Sequence, residues 1–258
     1  MPIEHRVLQS AMSVLTKITH QLARRLCDDR RYVTRAPAQA DATGPAVYLT
    51  FDDGPHPDRT NRILDQFAES DSKATFFVIG RRARRHPQTV RRILADGHSV
   101  GCHTWRHWSA RQLSSQAYVD DVRRSRTEIE QITGRKIDLF RPPYGELTPV
   151  SLWKLLADGF RIIHWTRDTR DFQLPAIPVL QQRFAELPMI DGDIILMHDD
   201  ASVTSYALHS CLQSWESRLQ FLALPMATPG SHRRPLTPRS TDQPLARMER
   251  VPAGSAAE

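Results

Sequence analysis

Cysteine is scarce in this 258-residue chain: Cys27, Cys102 and Cys211 are the only three, and none stands in a CxxC pair. An odd number of scattered thiols fits a reducing compartment better than a disulfide framework. Long apolar runs are missing as well. No stretch of about 20 apolar residues is available to span a bilayer. Lys17 and His20 interrupt the first hydrophobic stretch and no small-residue cleavage site follows it, so the sequence does not announce export and a cytoplasmic location is expected. Internal repeats are absent. The net charge of +6 raises the question of nucleic acid, but the cluster Arg81, Arg82, Arg84, Arg85, Arg91 and Arg92 lacks interleaved aromatics. It reads as a solvated helix face, and no nucleic-acid partner is expected.

What is present fits one sizeable core with a segment at each end, given 40% hydrophobic residues. Residues 1–45 read as a helical segment, residues 46–227 as the folded domain and residues 228–258 as a disordered tail rich in Pro, Arg, Ser, Thr and Ala. Leu8, Met12, Leu15, Ile18, Leu22 and Leu26 recur at helical spacing in the first segment. That stripe predicts a helix packed on the domain or, alternatively, a peripheral membrane contact.

The chemistry concentrates where apolar runs stop. Ala46 to Phe51 leads into Asp52-Asp53-Gly54-Pro55, and the Gly-Pro breaker lets two adjacent carboxylates serve one site although strand alternation would separate them. Asp-Asp-Gly also reads as an ordinary turn. His103 and His107 follow a short strand pattern, four residues apart. With Asp53 they supply the three protein ligands of an open catalytic metal site, although a lone HxxxH also occurs as paired surface histidines. The glutamate of HExxH is missing, which leaves Asp52 as the available base. Arg141 stands on a Pro-Pro-Tyr-Gly loop, and His198 ends the apolar run Asp193 to Met197. A histidine there is often structural, yet its position at a strand's carboxyl end matches that of Asp52, His103 and Arg141.

Taken together, TFDDG at Thr50 to Gly54, HTxxH at His103 to His107, RxPYG at Arg141 to Gly145 and LxH at Leu196 to His198 resemble the polysaccharide deacetylase family. This is the NodB-homology domain, or carbohydrate esterase family 4, and the likeness covers about Val47 to Leu224. It implies an α/β fold in the form of a distorted, incomplete (β/α) barrel. It also implies an N-deacetylase acting on N-acetylhexosamine sugars that uses a divalent metal, usually zinc, held by Asp53, His103 and His107; deacylation of a non-glycan or lipid-linked substrate on the same scaffold and a non-catalytic glycan-binding module are the alternatives. Asp52 would be the general base, His198 the general acid, and Arg141 the residue that orients Asp52. The backbone N–H of Tyr144 would meet the oxyanion, and Tyr144, Phe172 and Leu196 would border the sugar. One motif departs from the family: Asp-x-x-Asp-Trp is here Asp168 to Phe172, which keeps an apolar face but loses the indole donor. Asp171 is the expected partner of His198, with Asp168 as second choice; either acid could instead pair with Arg167 or Arg170.

Strands are expected at Val47 to Phe51, Ala74 to Ile79, Ser99 to Cys102, Leu139 to Arg141, Arg161 to Trp165, Asp193 to Met197 and Leu219 to Leu224. Helices are expected at Thr60 to Ser70, Pro87 to Ala95, Ser114 to Thr133, Pro149 to Asp158, Ile177 to Glu186 and Tyr206 to Ser217. Ser114 is a suitable N-cap, Pro87 and Pro149 suit first turns, and Gly97, Gly134 and Gly159 suit helix ends. Such alternation favours a parallel sheet covered by helices. Cys102 should point away from the neighbouring His103, into packing.

Overall fold

The computed structural model describes residues 16–37, 44–215 and 217–227. Helix α1 covers 16–26 within them. There follow β1 (Tyr32–Val33), β2 (Ala46–Asp52), α2 (Arg59–Phe67), β3 (Ala74–Val78), α3 (Gly80–Arg85), α4 (Pro87–Ala95) and β4 (Ser99–Cys102). The second half holds α5 (Ser115–Thr133), β5 (Leu139–Phe140), α6 (Pro149–Ala157), β6 (Arg161–Ile163), β7 (Arg167–Asp168), α7 (Ile177–Glu186), β8 (Ile194–His198), α8 (Ser202–Gln213) and β9 (Gln220–Phe221). All pairings are parallel, in the order β1-β6-β5-β4-β3-β2-β8-β7, with β9 beside the start of β2. The sheet curls into a barrel that does not close, because the consecutive strands β6 and β7 lie towards its opposite edges.

Both faces of the sheet are covered, so strands read as continuous apolar runs. Val47, Leu49 and Phe51 of β2 join the core beneath the helices, where Phe51 stacks on Phe76 at 5.0 Å. Each such ring contributes about 1.5–3 kcal/mol by leaving water. Ala46 and Tyr48 face the barrel interior with Phe77, Leu139, Ile163 and Ile194. The period of two therefore assigns the interior to Asp52, Arg141 and His198 as well. Cys102 has the opposite parity, sits in the helix-side core and directs Sγ at the Val122 carbonyl, as expected.

Helix ends follow their sequence signals. Ser114 Oγ accepts from Ala117 N at 3.2 Å, Gly134 closes α5 in the left-handed region at φ 65°, and Pro87 and Pro149 occupy first turns. Other boundaries shift. The last helix begins at Ser202 rather than Tyr206, because Thr204 and Ser205 are buried despite being polar. β6 stops at Ile163, β9 is only two residues long, and α2 ends at Phe67. Strand β7 and helix α3 were not expected. Gly80 opens α3 because a Cβ there would crowd the Trp105 ring and Ser125 Oγ.

The N-terminal segment holds a strand as well as a helix, since β1 pairs with β6. Its helix also packs differently from the expected stripe: Thr19, Ala23 and Cys27 are buried, whereas Ile18, Leu22 and Leu26 are 44%, 47% and 49% exposed. Small residues let α1 lie close to the barrel and turn its larger side chains outward. Leu8, Met12, Leu15 and the proposed tail at 228–258 lie outside the described residues. No helix among the described residues is long and apolar enough to cross a membrane.

Candidate active site

The carboxyl ends of β2, β4, β5 and β8 converge on one cleft. Asp52 is buried at the end of β2, and Oδ1 accepts from Arg141 Nη1 at 2.8 Å. The same guanidinium donates to Thr50 Oγ1 at 2.7 Å and to the carbonyls of His164 and Ile163 at 3.1 and 3.3 Å. With no exposed surface and four acceptors, Arg141 is a fixed part of the barrel wall. Burial raises the Asp52 carboxyl above its ordinary value, while the charges of Arg141 and His198 pull the other way.

Asp53 turns back towards the same cleft because its φ is 76°, which breaks strand alternation as the Gly-Pro signal implied. Asp53 Oδ1 lies 3.6 Å from His103 Nε2 and 3.0 Å from His107 Nε2, and one ligand atom from each of these residues falls within 4.8 Å of the others. His103 and His107 are joined by a turn rather than a helix, with Thr104 at φ 63° and His107 at φ 62°. Thr104 Oγ1 accepts from His107 N at 2.8 Å and holds that turn. Two observations fit a divalent ion here. Asp53 Oδ1 is buried without a hydrogen bond, and His103 Nδ1 bonds the Arg141 carbonyl at 2.7 Å, which leaves Nε2 for a ligand. Burial lowers the His103 pKa to about 3, so the ring is neutral, as a metal ligand must be.

His198 stands opposite Asp52 in the β2–β8 register. Its Nδ1 meets Asp171 Oδ1 at 2.8 Å and its backbone N–H donates to Asp171 Oδ2 at 2.8 Å. Asp171 is thus the partner, as expected. Asp168 is exposed, accepts from Arg170 N and plays no part in this contact, while Arg167 lies 3.5 Å from Asp193. Burial alone would lower the His198 pKa, but the hydrogen bond and charge of Asp171, with Asp52 and Asp53, raise it to about 9. The exposed Phe172 ring approaches the imidazole edge to face at 4.8 Å. Tyr144 is exposed on the turn after β5, with φ 59° and its ring 5.1 Å from that of His107. Leu196 shares the interior parity of Ile194 and His198 in β8 and is buried there between Thr50 and Asp168.

Several supports escaped the sequence reading. Thr204 of α8 donates to Asp171 Oδ2, and Arg82, read as part of a solvated face, donates to the Asp53 carbonyl at 2.5 Å and to Asp200 at 3.0 Å. Asp199 is buried behind Gly54, where Oδ2 accepts from Thr60 Oγ1 at 2.7 Å. None of these contacts joins neighbours in sequence, so no local pattern marks them.

Comparison with known proteins agrees with this geometry. Residues 39–163 match the family model described as polysaccharide deacetylase. Peptidoglycan-N-acetylglucosamine deacetylase PgdA of Listeria monocytogenes is 33% identical over 68% of this chain, which spans only 37% of that protein's length. A chitooligosaccharide deacetylase of Rhizobium leguminosarum bv. trifolii is 33% identical over 66% of this chain and 79% of its own. The structure of peptidoglycan deacetylase PdaC from Bacillus subtilis superposes with a TM-score of 0.67 at 30% identity, covering 72% of this chain and 90% of that one. With its half-barrel and these sequence relatives, the chain belongs to the polysaccharide deacetylase family.

Proposed function

We propose that this protein is a metal-dependent N-deacetylase that removes acetyl groups from N-acetylhexosamine residues of a poly- or oligosaccharide and releases acetate. The observation that carries the reading is the pairing of Asp52 with His198 beside the Asp53, His103 and His107 cluster. A glycan-binding module needs no base, acid and ligand set together. Relatives named for deacetylating peptidoglycan N-acetylglucosamine and chitooligosaccharides support the choice of bond and sugar.

Asp53, His103 and His107 would hold a divalent ion, for which this donor set suits zinc, and the ion would supply Lewis acidity and a lowered pKa for water. Asp52, held by Arg141, takes a proton from the water that attacks the acetyl carbon. The backbone N–H of Tyr144 donates to the oxygen that gains charge, a contribution of roughly 3 kcal/mol. His198 passes its Nε2 proton to the amide nitrogen as the C–N bond breaks, and Asp171 steadies the imidazolium until then. Phe172 offers an apolar face to a sugar ring beside this acid.

The test is acetate release from chitin oligomers, peptidoglycan and an exopolysaccharide, together with metal analysis of the same preparation. Release that stops on chelation and returns with a divalent ion is expected. Absence of release from every glycan by metal-loaded protein would overturn the reading.

A further inference from the structure

Along the seam where β6 and β7 part, the barrel wall opens into a cavity of about 1020 Å³. None of the residues assigned to catalysis above lines it. Its wall is apolar where Val33, Ile163, Trp165 and Leu224 meet, and basic where Arg24, Arg30, Arg35, Arg161 and Arg167 surround it. The arginines are incompletely neutralised. Arg35 and Arg167 share one carboxylate, Asp193, at 2.8 and 3.5 Å, and Arg161 pairs with Asp138 at 2.6 Å. Asp29 also lines the cavity. Among the described residues, the five lining guanidiniums share the carboxylates of Asp29, Asp138 and Asp193, and Arg24 and Arg30 make no ion pair.

A merely solvated basic face offers neither a concavity nor an apolar floor. Here both are present, and the volume reaches the upper end of small-molecule pockets, roughly 300–1,000 Å³. We propose that this cavity binds a ligand that carries a phosphate group on an apolar or ring-shaped body. Guanidinium forks match phosphate oxygens in pairs, and the indole of Trp165 gives a ring a face to lie on. Such a phosphate can come from a soluble sugar phosphate or from a phospholipid headgroup. Helix α1 makes the second source worth testing, since it contributes His20 and Arg24 to the cavity and exposes Ile18, Leu22 and Leu26 elsewhere on its surface.

The site is independent of the deacetylase reading, and so is the binding measurement that tests it. Binding of glucose 6-phosphate, glucose and inorganic phosphate is measured by calorimetry, and binding of phosphatidylcholine vesicles by sedimentation with and without phosphatidic acid. Saturable binding of the sugar phosphate identifies a soluble ligand, whereas binding only to vesicles that contain phosphatidic acid identifies a headgroup. In either case the double variant Arg24→Gln/Arg30→Gln, which keeps the aliphatic stems, loses at least about tenfold in affinity. Its melting temperature without ligand and its acetate release from chitin oligomers stay at the parent values. No saturable binding of the sugar phosphate below about 10 mM together with vesicle binding that does not depend on phosphatidic acid, saturable binding of glucose or of inorganic phosphate as tight as that of the sugar phosphate, or full affinity in the double variant each overturns the proposal.

Discussion

Asp52 and His198 are the final residues of two adjacent parallel strands and stand directly opposite each other in the register. Neighbouring strands lie about 4.8 Å apart, so the backbone ladder, rather than long flexible side chains, sets where the proposed base and acid would meet the substrate. Their surroundings then push them to opposite tasks. Arg141 braces one as a carboxylate, and Asp171 keeps the other charged as an imidazolium.

This division gives the first prediction. Asp52→Asn should impair every substrate, whereas His198→Ala should matter only where the leaving group needs a proton. On an N-acetyl sugar the histidine variant should lose about two to four orders of magnitude. On an aryl acetate, whose phenolate leaves unaided, the loss should be far smaller. Equal losses on amide and ester would show that His198 supports the nucleophile or the fold instead.

The pH profile supplies the second. His198 holds its proton up to about pH 9, above the ordinary 6.5, so amide hydrolysis should decline as pH rises through about 9. The raised value also stabilises the fold: the contribution is complete below about pH 6.5 and disappears as pH passes about 9. Asp171→Asn removes the charge behind the shift, so the alkaline limb should move towards neutrality. A kcat profile of both proteins on one chitin oligomer decides it, and an unmoved limb would assign that ionisation to another group.

A third prediction concerns the ligand cluster. The purified protein should carry one divalent ion per chain, and His103→Ala or His107→Ala should lose both ion and activity. Elemental analysis beside acetate release checks this. Full turnover by a verified metal-free preparation would be incompatible with it.

Gly54 yields a fourth. A Cβ there would overlap the Asp199 carboxylate, which accepts from Thr60 Oγ1, while the Asp199 backbone N–H donates to the Asp52 carbonyl. Gly54→Ala should therefore destabilise by about 1–3 kcal/mol, read from denaturant unfolding. Adding Asp199→Ala should make room for the methyl, so the pair should cost less than the sum of the single changes. Strict additivity would place the strain elsewhere.

Much of this site was legible because its residues close apolar runs. Asp52, His103, Arg141 and His198 each follow a strand signal, and the Gly54-Pro55 breaker explains how Asp53 joins them. The missed elements lacked any such signal. Strand β7 is two polar, partly exposed residues, and α3 is an arginine-rich turn whose start is dictated by the distant Trp105 and Ser125. The stripe on α1 misled because tight packing there favoured Thr19, Ala23 and Cys27 over the larger residues. Thr204 and Arg82 reach their partners across 33 and 29 residues, beyond any local pattern.

Asp53, Thr104, His107 and Tyr144 all take the left-handed backbone region although none is glycine. Each such residue costs on the order of 1 kcal/mol, and all four belong to the cleft or the turn beside it. Glycine would take that region at less cost, so at these positions the backbone path has outranked local stability. Thr104 is the informative case, because its hydroxyl serves the loop and is not among the ligand atoms. Backbone strain and the placement of His107 are therefore tied together at that single residue, so a glycine there would relieve the strain only by giving up the bond that holds the turn.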